Sequence, residues 1–347
     1  MIKSSDYPIN EEIFNDLNKL TLEYDILNSI EILENNAENK IILKDSEDKV
    51  CRFCKKSYPT VKFRNISHTI PEFIGNKTLF SDFECDNCNH FFSKFENEFA
   101  NYLLPYNTFS ETRTKKNKIP KYKNKIEIFT GDDNVINVKN ISEKSIIDKK
   151  TIIFPVDVPS YIPEFIYRLL IKIGISIIPE NIIHNYSKTI DWLLNLNADT
   201  SVAPKMLFTL FPFSNPTNKI RIIILKSKTN SRRNIPNNIL ALSYKNFTFQ
   251  TFFPIFPEKE MSSFFPFPHI IPTPLDLNKD LIIERQYVLL DLSKKEKEKN
   301  EKIEFTIKSL DWCTKYGRVF SCVLPLHYRY KNKIFNYKIW KKSLCLK

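Results

Sequence analysis

Two Cys-x-x-Cys pairs, CRFC at 51–54 and CDNC at 85–88, stand thirty residues apart and constrain this chain more than any other feature. A single pair can be a redox couple, half of a metal site or a coincidence. A second pair leaves the redox reading with two cysteines unexplained. Zinc takes four soft ligands in a tetrahedron, and two knuckles of this kind supply two thiolates each without strain. The spacing predicts a four-cysteine zinc site at Cys51, Cys54, Cys85 and Cys88. With every position filled by thiolate, such an ion has no open coordination site, so it braces a small module and does no chemistry itself. What it would hold in place lies alongside: Asn89 and His90 after the second pair, and FRNISHTIPEFIGNKTL (63–79) between the pairs.

The chain has 347 residues, enough for two domains or for one with a sizeable insert, and at 42% hydrophobic residues it can bury a core. A net charge of +12 favours a polyanionic partner, nucleic acid foremost, although the abundance of Asn, Ile and Lys offers compositional bias as another source of that charge. The opening MIKSSDYPINEEIFNDL has no apolar signal core. The most apolar window, PEFIYRLLIKIGISIIPE (163–180), carries Glu164, Arg168 and Lys172 and is too short and too charged to span a bilayer. The expectation is a soluble, cytoplasmic protein with no membrane association, in a compartment where thiols stay reduced. Cys313, Cys322 and Cys345 lack knuckle spacing and read as small buried hydrophobes. His184, His269 and His327 read as structural.

Along the chain, residues 1–50 read as a helical N-terminal segment, with Ile13, Leu17, Leu20 and Leu22 set among polar residues. Residues 51–104 form the cysteine module and end in a helical stretch, HFFSKFENEFANYLL. Residues 105–125 are a basic connector: TRTKKNKIPKYKNK (112–125) holds seven Lys or Arg and no acid. Residues 126–347 read as an α+β recognition or regulatory domain. It starts with a short hairpin (KIEIFTG and NVINVKNI), then has helices at 163–178 and 180–195. Strands follow at MLFTLFPF, IRIIILKSK, NILALSYK, FTFQTFFPIF and RQYVLLDLS, two of them flanking Asn246 as a hairpin. The fold class is α+β: a small metal-bound module, then helices packed on an antiparallel sheet. The basic, aromatic tail YRYKNKIFNYKIWKK can be a single-strand binder or an edge strand.

Over residues 51–102 the pattern C-x-x-C … H-x-I-P-E-x-x-G-N … E-C-x-x-C-N-x-x-F resembles the HNH endonucleases, the His-metal-finger or ββα-metal nucleases, in their bacterial branch with two zinc knuckles. The resemblance implies a zinc-braced ββα-metal module that hydrolyses DNA. His68 would be the general base, Asn89 a ligand of a catalytic Mg²⁺ or Mn²⁺, and the four cysteines the structural Zn²⁺ site. Where many relatives carry an acid or histidine before the base, this chain has Ser67. The catalytic ion could then be held through water, or by Glu72, Glu84 or His90. Asn76 is the nearest amide to the family's middle asparagine, which orients the base, and Asp82 lies closer to the expected spacing. Following such a module, the cations Arg113, Lys115, Lys116, Lys118 and Lys121 read as phosphate contacts. The implied setting is bacterial or phage, with anti-phage defence as a role, and a homo-oligomer, an activating ligand or a partner protein is compatible with the sequence. The alternative is a zinc-finger DNA-binding protein with a degenerate, inactive site.

Overall fold

The computed structural model describes residues 18–45, 49–114, 116–130, 136–148, 151–211, 216–229, 235–256, 271, 286–309 and 321–328. Its elements are β1 (Tyr24–Leu33), β2 (Ile41–Leu43), β3 (Ser67–His68), β4 (Leu79–Ser81), α1 (Asp86–Phe109), β5 (Tyr122–Lys123), β6 (Glu127–Thr130) and β7 (Ile136–Lys139). These continue with β8 (Ile146–Asp148), β9 (Thr151–Asp157), α2 (Pro163–Ile177), α3 (Ser187–Leu194), β10 (Lys205–Leu210), β11 (Thr217–Ser227), β12 (Asn238–Lys245), β13 (Phe247–Phe252), β14 (Gln286–Asp291), β15 (Lys302–Ser309) and β16 (Ser321–Tyr328). The fold is α+β. A six-stranded sheet, ordered β1-β11-β12-β13-β10-β14, is antiparallel throughout. A four-stranded sheet runs β16-β15-β9-β8, and two three-stranded sheets run β2-β4-β3 and β5-β6-β7.

Two helices tie the sheets together. In α1, Phe92, Phe95, Phe99, Tyr102 and Tyr106 recur every three or four residues, forming one buried stripe. That stripe lies on the large sheet: Phe99 packs against Phe249 at 5.1 Å and Tyr106 against Phe208 at 5.1 Å. Helix α2 is buried along nearly its whole length, and Phe165 meets Phe95 of α1 at 4.8 Å. A side chain on Gly174 would stand 2.7 Å from Phe253, so that glycine lets α2 lie close to the large sheet. One large hydrophobic core therefore takes in residues from Ile32 to Phe305.

The predicted hairpins are present: β6 pairs with β7, and β12 with β13 across Asn246. The second predicted helix starts as a 3-10 turn, Glu180–Tyr186, before α3. Two expectations are corrected. The helical reading of residues 1–50 holds only for 18–23 among the described residues, because Tyr24–Leu33 is a strand. Its apolar spacing is ambiguous by itself, and what decides it is distant. Antiparallel β11 supplies its ladder, and Arg221 there reaches Glu31 at 2.6 Å. Nor does the connector begin at 105, since α1 continues to Phe109, whose ring meets Phe305 at 4.4 Å. Cys313, Cys345, His269 and the tail from 329 onward lie outside the described residues, as do the side chains of Cys322 and His327.

The first knuckle is anchored to α2 by Arg52, which is 4% exposed. Its Nη1 donates to the carbonyls of Ile175, Ser176 and Ile178 at the C-terminus of α2, where helix carbonyls run short of donors and Ile175 O otherwise accepts from Ile178 N at 3.3 Å. Its Nε donates to Asp45 at 3.0 Å, and the guanidinium lies over Phe83 at 3.9 Å. Removing one partner of a buried, hydrogen-bonded charge pair costs far more than losing a surface pair. Arg52→Ala should therefore lower unfolding stability by about 3–5 kcal/mol, read from denaturant midpoints. A loss of the size of a surface pair would show that this contact does not hold the module to α2.

Candidate metal centre and hydrolytic site

The first knuckle turns back on itself: Lys55 N donates to Cys51 O at 2.9 Å, with Lys55 at φ 58°. The second knuckle opens α1, with Cys85 as an extended N-cap and Asn89 N donating to Cys85 O at 3.0 Å. All four sulfurs lie within 4.8 Å of one another. The Cys51–Cys88 separation is 3.7 Å and the Cys54–Cys85 separation 3.8 Å, too long for disulfides. A tetrahedron with metal–sulfur bonds of about 2.3 Å has edges of about 3.8 Å. The cage thus fits a tetrahedral thiolate-bound ion such as zinc in both size and donor chemistry.

Electrostatics points the same way. Cys51 is lowered to about 5 by the Cys88 thiol beside it and by backbone amides. Once Cys51 is charged, its neighbours resist ionising: Cys85 is pushed up to about 11, by burial first and then by that charge, and Cys88 is raised by its bond to Cys51. Four thiolates this close need a cation among them.

On the other side of the module, β3 and β4 form a minimal antiparallel pair, with Ser67 opposite Ser81 and His68 opposite Phe80. The connecting loop passes through Pro71, a 3-10 turn at Glu72–Ile74, and Gly75 at φ 95°. That backbone conformation favours glycine. A Cβ there would also stand 2.3 Å from Glu34 Cγ, beneath the turn. Asn76 is fully buried and uses its whole amide on this loop. Its Nδ2 donates to Ile70 O at 2.7 Å and Leu79 O at 2.8 Å, while Oδ1 accepts from Thr78 N and Leu79 N. Asn76 therefore shapes the loop that follows His68, with its amide turned back onto that loop's backbone. Asp82, the other candidate, is half-buried just past β4.

The His68 side chain is 29% exposed, with Nε2 3.6 Å from Glu72 Oε2 and its ring against Phe80 at 4.6 Å. Ser67, at the position where many relatives carry a ligand, is 1% exposed and faces the interior. Glu84 is also buried, paired with Lys172 at 2.9 Å, and burial pushes its carboxyl up. Neither can reach an ion on the surface. Asn89 is half-buried on the first turn of α1, and His90 is exposed beside it. Sequence reading missed Glu96. It lies seven residues past Asn89 and so on the same helix stripe, a periodicity that could have found it. Burial raises its carboxyl, Lys172 opposes that, and Glu72 adds to it, which places Glu72, Glu96 and Lys172 in one electrostatic neighbourhood.

The basic run after α1 is an ordered turn. Thr114 N donates to Lys118 O and Asn117 N to Thr114 O, both at 2.8 Å, and Arg113 Nη1 donates to Asn117 O at 3.0 Å. Arg113, Lys116, Lys118 and Lys121 are exposed, and Lys115 lies outside the described residues. Burial raises Glu34, and the Arg113 charge is among those opposing it, so the run begins near the Gly75 loop.

The cage should make the protein dependent on one tightly held zinc per chain. Elemental analysis of protein purified without added metal should find about one equivalent, and Cys85→Ser should lose it together with the module's fold, since binding energy at such a site is folding energy. Less than half an equivalent in folded protein would overturn the zinc assignment.

Among the described residues, no helix is long and apolar enough to cross a membrane. Neither the curated proteins nor the solved structures contain a match to this chain. Residues 51–104 match the profile of a family described as HNH endonuclease. This segment, with its paired cysteine knuckles, its short antiparallel strand pair and the helix that follows, is the part of the chain that is similar to the HNH endonuclease family.

Proposed function

We propose that the protein is a metal-dependent endonuclease that hydrolyses DNA phosphodiester bonds, with His68 as general base. The observation that carries this reading is the setting of His68: partly exposed, with Glu72 at 3.6 Å from its Nε2, on a strand whose His68 carbonyl shares Lys172 with Phe92 of α1. A base in this place takes a proton from water as the water attacks phosphorus. The Glu72 carboxylate favours the imidazolium that results. The amide oxygen of Asn89 is the kind of donor a hard ion prefers, and Asn89 would hold a Mg²⁺ or Mn²⁺, which when bound offsets charge building on the phosphate and leaving oxygen. His90, about 100° further round the helix and exposed, contacts the phosphate in this reading. Asn76 positions His68 through the loop. Anti-phage defence is the implied setting.

One observation favours the rival, a DNA-binding zinc module with an inactive site: Ser67, where many relatives carry a ligand, is buried. Nicking of supercoiled plasmid with Mg²⁺, Mn²⁺ or EDTA separates the two. His68→Ala should cut at least about 10²–10⁴-fold more slowly, with zinc content and DNA binding retained. Equal cutting by this variant would remove His68 from the mechanism, and no cutting by the parent with either ion would favour the rival.

DNA would run along the exposed cations after α1. Each phosphate contact on duplex DNA adds about 0.9 to the slope of log affinity against log salt. Changing Lys116, Lys118 and Lys121 to Gln, in a His68→Ala background, should flatten that slope by about 2–3 units and weaken all sequences alike. An unchanged slope would make this stretch a solvated turn.

A further inference from the structure

Helix α2 lies outside the segment that matches the nuclease family, yet it reaches into the module through Lys172. This residue is 1% exposed. Its Nζ donates to the backbone carbonyl of His68 at 3.2 Å and pairs with Glu84 Oε2 at 2.9 Å. It also sits 5.8 Å from the ring centroid of Phe92, on the α1 turn after Asn89. One ammonium therefore touches the strand of His68, the residue just before the second knuckle, and the helix that carries Asn89.

We infer that Lys172 is a positioning residue for His68: anchored by Glu84, its ammonium holds the His68 carbonyl and so sets where the imidazole stands. The inference deepens the reading of His68 as the base and rests on it. Three observations support a positioning role over simple charge neutralisation. Strand β3 is two residues long, so its ladder alone fixes His68 weakly. Glu84 and Lys172 could both be replaced by apolar groups if they served only each other, and such replacements are often neutral or stabilising. Instead the pair spends a hydrogen bond on the residue that carries the reactive ring. Because Lys172 is buried, it cannot touch DNA, and of the groups it contacts only His68 carries a ring that could act as the base.

The test separates position from charge balance. Lys172→Met leaves Glu84 buried without its cation and can simply unfold the module, so the informative variant is the double change Lys172→Met with Glu84→Gln, which removes the ion pair as a whole and leaves Glu96 as the neighbouring acid that loses the Lys172 charge. Histidine signals are followed by NMR in protein labelled with ¹⁵N-histidine, His68 being assigned by its loss in His68→Ala. Plasmid cleavage is measured as a single-turnover rate at saturating protein. The double variant should keep its zinc and its DNA affinity, shift the His68 signals, and cut on the order of 10²-fold more slowly, the penalty for a catalytic group about 1 Å out of place. Glu84→Gln alone, which loosens only the anchor, should move the same signals less and in the same direction. It supplies the comparison if the double variant does not fold. Unmoved His68 signals in the folded variants overturn the inference, as does a full cleavage rate in the double variant. If His68→Ala cuts like the parent, the base reading fails, while the NMR comparison still decides whether Lys172 positions that residue.

Discussion

Between Val50 and the start of α1, the chain has very little regular structure with which to hold itself. It offers two strands of two and three residues and one 3-10 turn. Hydrogen bonds on that scale do not fix a loop of more than thirty residues against its own entropy. The four-sulfur cage does, by joining the turn at 51–54 to the N-terminus of a long helix. Everything proposed for the site follows from that closure. The helix start is fixed, so Asn89 has a defined direction. The loop between the knuckles is pinned at both ends, so Asn76 and Gly75 can shape the short span that carries His68.

What could be read from the sequence was whatever depends on local spacing. Cysteine pairs advertise a metal cage because ligand number and separation are set by the ion, and the cage is where the pattern put it. Hairpins flanked by turn residues were legible for the same reason. The first strand was not. Tyr24–Leu33 has no local feature that separates it from a helix, and its partner lies about two hundred positions away. Asn76 was legible as important but not in its role, because only the fold shows that all its hydrogen-bonding capacity goes to backbone. Glu96 and Lys172 were missed because they acquire their meaning from the packing of α1 against α2.

The two buried cations of the interface, Arg52 and Lys172, act from opposite sides. Arg52 leaves the knuckle to satisfy the end of α2, and Lys172 leaves α2 to satisfy the interior of the module. Each would be costly to bury alone. Both are accepted because each meets an acid and backbone carbonyls that suit a cation, Asp45 and the end of α2 for Arg52, Glu84 and the His68 carbonyl for Lys172. Reciprocal contacts of this kind make the module and the helix behind it one folding unit.

Helix α1 gives that unity a practical meaning. At about 1.5 Å per residue, its 24 residues span about 36 Å, from the turn that bears Asn89 to Phe109 against Phe305. The aromatic stripe along it packs on the large sheet through Phe99 and Phe249 and on the 3-10 turn after His68 through Phe99 and Phe73. A module cut out at residue 104 for transplantation into another protein would carry most of that stripe into water, and a host would have to offer an apolar bed of its own. In this chain the short motif is rooted in the sheet behind it.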